Sequence, residues 1–163
     1  MPRRLLPAAT ACAVALLAPS DAHAKDLRNR IGAGYNAWFG QVNALSVRYG
    51  LPTGDPAVNI QVEGNLGLDA DNSSSDDFFA GGRLLYGVVV EDNMNLSLGA
   101  GAGYIASGGR GRLRLQPSAT VDFFLFGLEN LGFSSGVGLN LDLGSPTGVS
   151  TTGAVLGGLH YWF

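Results

Sequence analysis

Apolar and polar residues alternate along most of this chain. Leu45, Val47, Tyr49 and Leu51 alternate with Ala44, Ser46, Arg48 and Gly50. Val58, Ile60 and Val62 alternate with Asn59, Gln61 and Glu63. The same rhythm returns from Leu96 to Ala102 and from Val137 to Leu143. Successive side chains of a strand point to opposite faces, so a period of two predicts strands with one apolar face and one polar or small face. No window carries a helical apolar period of useful length. Clusters of Gly, Pro, Asn, Asp and Ser divide the pattern into about eight strands. The predicted spans are 30–39, 43–51, 57–67, 78–91, 94–106, 112–126, 132–144 and 152–163. Turns at 52–56, 91–93 and 128–131 read as short, and connections at 69–77, 107–111 and 145–151 as longer and polar.

Such strands build either of two objects. A soluble barrel or sandwich turns its apolar face inward. A membrane barrel turns it toward lipid and its polar face toward the lumen. The polar face here makes a poor water-facing surface. It is rich in glycine (Gly32, Gly34, Gly50, Gly81, Gly87, Gly99, Gly101, Gly103, Gly136, Gly138 and Gly158) with a few charges, Arg48, Glu63, Arg83, Asp122 and Asp142. Small residues beside a few long polar ones suit the filled interior of a narrow barrel. Tyr35, Phe39, Tyr49, Phe78, Tyr86, Tyr104, Phe123, Phe133, Tyr161 and Phe163 share the apolar parity, mostly near strand ends, as in membrane aromatic girdles. Trp38 and Trp162 have the opposite parity and are expected inside the mouth. Pro117 lacks the N–H of a central strand, so it is expected at the outer rim.

Composition sharpens this picture. Of 163 residues, 46% are apolar and only 14% charged, against about 25% charged in ordinary soluble domains. Residues 1–24 read as a cleavable signal peptide: Arg3 and Arg4, an apolar stretch, then Ala22-His23-Ala24. Cys12 lacks the surroundings of a lipidation site and leaves with the leader. The barrel domain is then 25–163. A net charge of −3 gives no basic stripe for nucleic acid. One Cys and two His leave no multi-His or multi-Cys metal site, and no cofactor is expected.

The chain closes on Leu156-Gly157-Gly158-Leu159-His160-Tyr161-Trp162-Phe163. Gly158, Tyr161 and Phe163 in this spacing resemble the C-terminal signal that the barrel-assembly machinery reads in bacterial outer-membrane barrels, although Leu156 replaces the usual polar residue. With that signal, the chain resembles a small outer-membrane barrel of the outer membrane protein A or X type. The resemblance implies an all-β, eight-stranded antiparallel up-and-down transmembrane barrel. It also implies a Gram-negative outer-membrane location and contact with outer-membrane lipid and lipopolysaccharide. A monomer is expected.

Some barrels of this kind process lipopolysaccharide acyl chains with Ser and His. His160, the only His after residue 24, has no Ser partner by strand parity and lies far from the outer leaflet, so no enzyme is expected. A hairpin folded about the 69–77 loop instead sets Glu63 opposite Arg83, with Arg48 one strand away and Asp122 and Asp142 in the same lumen. Buried charges need partners, so these five are expected to form an ionic network that plugs the bore. The acidic stretch with Asp69, Asp71, Asn72, Asp76 and Asp77 has the oxygen chemistry for Ca²⁺ but lacks the EF-hand glycine and final Glu, and is read as a solvated loop. Arg110, Arg112 and Arg114 are candidates for lipopolysaccharide phosphates or for lining the mouth. The expected role is structural or surface-interacting. A narrow pore, and a soluble exported barrel holding a small apolar ligand, are the alternatives.

Overall fold

A computed structural model of the chain describes residues 25–37, 43–55, 58–69, 77–144 and 147–163. The expected signal peptide, Trp38, Phe39, and Asp71, Asn72 and Asp76 lie outside the described residues. Eight strands follow in order: β1 (Ile31–Asn36), β2 (Ala44–Gly50), β3 (Ile60–Asp69), β4 (Asp77–Val90), β5 (Met94–Ser107), β6 (Arg110–Leu125), β7 (Leu128–Gly144) and β8 (Gly148–Trp162). Each pairs antiparallel with the next, and β8 pairs with β1 to close the barrel. No helix occurs among the described residues.

Side-chain period two sorts the residues cleanly. Leu45, Val47, Leu66, Leu68, Leu98, Val137 and Val149 are exposed on the outer wall. Between them Ser46, Arg48, Gln61, Glu63, Arg83, Asn95, Ser97, Gln116, Thr120 and Asp122 turn inward and are buried. The barrel is thus apolar outside and polar inside. Tyr35, Tyr86, Tyr104, Phe123, Tyr161 and Phe163 face outward, and Trp162 is buried inside.

Several boundaries differ from the sequence expectation, each for a local reason. The turn placed at 128–131 falls at Phe126-Gly127, where Gly127 adopts φ +80°, and Leu128–Leu131 belong to β7. The connection expected at 107–111 is a two-residue turn, Gly108-Gly109, with φ +57° and +73°. Left-handed values at both central positions match the twist of paired strands and suit glycine. β8 begins at Gly148, well before 152. The longest link on the side of the chain termini, residues 51–59, exceeds the tight 108–109 turn on the opposite side, so the expected alternation of short and long connections does not hold.

Pro117 lies in the middle of β6, not at its rim. Its exposed side chain joins the outer wall, and it pairs with Ala100 of β5. The β6–β7 ladder stops at Leu115–Leu141 and resumes at Ser118–Gly138, so the missing N–H interrupts one ladder only.

Apolar groups also enter the interior, which alternation did not predict. Phe79, Leu85, Ile105 and Phe124 are buried there. Phe79, Ala44 and Ile105 cluster toward the end carrying the 108–109 turn. Phe124, Trp162 and Leu27 cluster at the other end, beside the termini. Glycines make the room. A Cβ on Gly103 would lie 2.5 Å from Phe79 Cε2, and one on Gly99 2.5 Å from Leu85 Cδ2.

Candidate functional site

The site is the interior. Cross-strand register sets Arg48 of β2 opposite Glu63 of β3, and Glu63 opposite Arg83 of β4. The row continues into glycine on both sides, Gly32 on β1 and Gly101 on β5. Long side chains therefore find space beside them. Arg48 Nε donates to Glu63 Oε2 at 2.7 Å, and Arg83 Nη2 donates to the same oxygen at 2.6 Å. Asn36 Nδ2 donates to Glu63 Oε1 at 2.7 Å.

Arg48 then spans the bore. Its Nη1 donates to Asp122 Oδ1 of β6 at 2.9 Å and its Nη2 to Ser134 Oγ of β7 at 3.3 Å. Ser134 Oγ, in turn, donates to Asp122 Oδ1 at 2.5 Å. Two guanidinium groups and two carboxylates balance in charge, and all four side chains are essentially inaccessible. A buried ion needs such a partner set, since the desolvation penalty is several kcal/mol per ion.

Asp142 stands apart from this group. Arg114 grips it through two parallel contacts, Nε to Oδ1 and Nη2 to Oδ2, each 2.7 Å. Arg112 Nε lies 3.2 Å from Asp142 Oδ2. Of the five charged residues expected together, four meet and the fifth belongs to a second cluster nearer the 108–109 end. Arg114 is buried within that cluster, and only Arg110 of the three arginines is exposed. Between the clusters, Gln116 Nε2 donates to Asn140 Oδ1 at 2.7 Å.

His160 has a partner that parity on the neighbouring β7 did not reveal. Its Nε2 lies 2.8 Å from Ser46 Oγ, across the β8–β1–β2 seam where Gly34 pairs with both residues. The absence of a serine partner was therefore an incorrect expectation. Among the described residues His160 Nδ1 has no hydrogen-bonding partner to orient the ring, and both residues are 1% exposed.

Among the described residues no group of three or more His, Cys, Asp or Glu is placed to hold a metal ion. Asp69 and Asp77, at the mouth of the acidic loop, are register partners at the ends of β3 and β4. Across the barrel end beside the termini, residues 25–30 lie against the mouth. Lys25 Nζ sits 5.6 Å from the Phe124 ring and 3.8 Å from Glu129 Oε2. Burial, with the neighbouring Arg30 charge, pushes the Lys25 amine below its ordinary value.

No model of a known protein family matches the chain, and no curated protein sequence matches it.

Proposed function

We propose that this protein spans the outer membrane of a Gram-negative bacterium as a monomeric, plugged β-barrel with a structural or surface-interaction role and no catalysis. The observation that carries this reading is the sidedness of the wall. Soluble monomers rarely expose contiguous apolar surface beyond a few hundred Å². Here the exposed face of strand after strand is Leu, Val, Tyr and Phe, while ion pairs and amides occupy the centre. Lipid outside and a closed hydrogen-bonded lumen inside satisfy both faces. A soluble carrier of an apolar ligand calls for the opposite arrangement.

Arg48 bridging β2 to β6 and β7 is the basis for the plugged state. Contact with outer-membrane lipid and lipopolysaccharide follows from the apolar wall, and exposed Arg110 can meet phosphate at one rim. Assembly by the barrel-assembly machinery belongs to the same reading. Detergent extraction followed by electrophoresis with and without boiling tests it. Heat-dependent mobility of membrane-fraction protein is expected, and a freely soluble protein with a single mobility overturns it.

A narrow pore is the second reading, favoured by interior polar atoms such as those of Asn95, Ser97 and Thr120 that have no partner among the described residues. Planar-bilayer recording separates the two. The plugged barrel gives no stable conductance, whereas a pore gives reproducible steps.

A further inference from the structure

The interior polar atoms without partners are not scattered. Asn95 and Asp122 are register partners on β5 and β6, and Ser97 and Thr120 are the next inward-facing pair. Asn95 Nδ2 and Oδ1, Ser97 Oγ, Thr120 Oγ1 and Asp122 Oδ2 are all buried, and none has a hydrogen-bond partner among the described residues. A buried amide, hydroxyl or carboxylate left so costs about 1–3 kcal/mol, so adjacent ones call for a shared partner. Water fits, since one molecule serves several such donors and acceptors. A cation does not, because Glu63 and Asp122 are already balanced by Arg48 and Arg83.

This patch has a boundary at each side. Leu85, fully buried over Gly99, lies on the inner side. Phe124, the next inward residue after Asp122, packs with Trp162 and Leu27 at the mouth. Leu27 alone of these comes from outside the sheet. Its segment crosses the mouth like a strap. At one side, Asn29 N donates to Gly50 O at 2.8 Å and Gly50 N donates to Arg30 O at 3.0 Å. At the other, Lys25 N donates to Glu91 O at 3.2 Å. Gly50 is required for this approach, since a Cβ there would collide with the Leu27 carbonyl oxygen.

We propose that residues 25–30 are a displaceable stopper, with Leu27 as its head, over a water-holding polar chamber lined by Asn95, Ser97, Thr120 and Asp122. The strap is held by few backbone bonds and by the Arg28 and Arg30 side chains, which donate to Thr53 O at 3.0 Å and Asn130 Oδ1 at 2.6 Å, whereas the strands beneath it are paired on both sides. Segments with few contacts open at much lower free energy than core strands. This inference concerns the barrel interior and stands whether or not the outer wall faces lipid.

The test uses the full chain, purified in detergent, with Cys12→Ala to remove its only cysteine. Ser97→Cys is then exposed to a small charged methanethiosulfonate, with exposed Ser150→Cys as reference. Ser97→Cys should react far more slowly than the reference. Adding Leu27→Asn, or Gly50→Ala, whose Cβ would push the Leu27 backbone away, should raise its rate about tenfold or more, as expected when local opening costs less. Hydrogen exchange of the unsubstituted protein gives a readout that no variant can spoil by misfolding. The Asn29 and Arg30 amides should exchange before those of β6. A Ser97→Cys rate that is already fast, or that neither strap variant changes, overturns the proposal. So does a strap that exchanges as slowly as β6.

Discussion

Arg48 and Glu63 sit directly across from one another on β2 and β3, and Arg48 Nε donates to Glu63 Oε2 at 2.7 Å with both side chains shut off from solvent. Arg48 also holds Asp122, so this one guanidinium joins the two carboxylates of the central group.

Removing Arg48 should therefore be costly. In Arg48→Ala, Glu63 keeps only Arg83 as an ionic partner and Asp122 loses its own. Breaking a buried pair costs about 3–5 kcal/mol. The unfolding midpoint in denaturant, read from the folded and unfolded electrophoretic bands, should fall accordingly. Arg114→Ala should cost well under this, because Asp142 is partly solvated and keeps Arg112 nearby.

The glycine cradle of Phe79 predicts a pattern of rescue. Gly103→Ala should destabilise by about 1–3 kcal/mol through overpacking. Adding Phe79→Leu should recover part of that loss, because the clash is with the ring edge at 2.5 Å. The same second change should do little for Gly81→Ala, whose added Cβ also meets the Ala102 carbonyl oxygen at 2.9 Å. Denaturant midpoints of the two double variants make the comparison.

A charge on the outer wall tests the environment of that wall. If lipid covers it, Val137→Arg should cost about 2–4 kcal/mol, and a position nearer a strand end, Leu68→Arg, should cost less. Refolding equilibria in vesicles measure both. Equal and negligible effects would mean that water covers the outer surface.

The strap carries a pH dependence of its own. Asp26 accepts from the Arg28 backbone N–H at 3.0 Å and from its guanidinium at 2.7 and 2.9 Å, which holds its carboxyl below the usual range. A depressed carboxyl contributes stability above the free value of about 3.9 and loses it as the pH falls through the bound value. Strap exchange, corrected for intrinsic rates, should be flat from neutral pH to about 5 and should accelerate below about 4. Asp26→Asn should remove that acceleration.

Much of the architecture was legible because alternation is a property of the strand backbone. Leu45 to Gly50 or Leu96 to Ala102 could hardly adopt another form, and the position of the 69–77 loop in its hairpin set Glu63 against Arg83. The errors have physical causes. Glu129-Asn130 imitates a turn, whereas Gly127 with its positive φ makes one. Parity set Phe78 on the outer wall, but an apolar ring at Phe79 on the polar, glycine-rich face was not expected. Gly81 and Gly103 were the available signal for Phe79. The Ser46–His160 contact joins residues 114 apart across the closing seam, and no local pattern encodes how far one edge slides against the other. Arg114 shared lumen parity with Arg112, but its grip on Asp142 depends on the β6–β7 register.

Two positive and two negative groups at the centre of the barrel cancel. A voltage applied along the cylinder consequently exerts no net pull on that cluster. Its members are drawn in opposite directions while tied to one another, so electrical stress alone gives this core no reason to leave its seat.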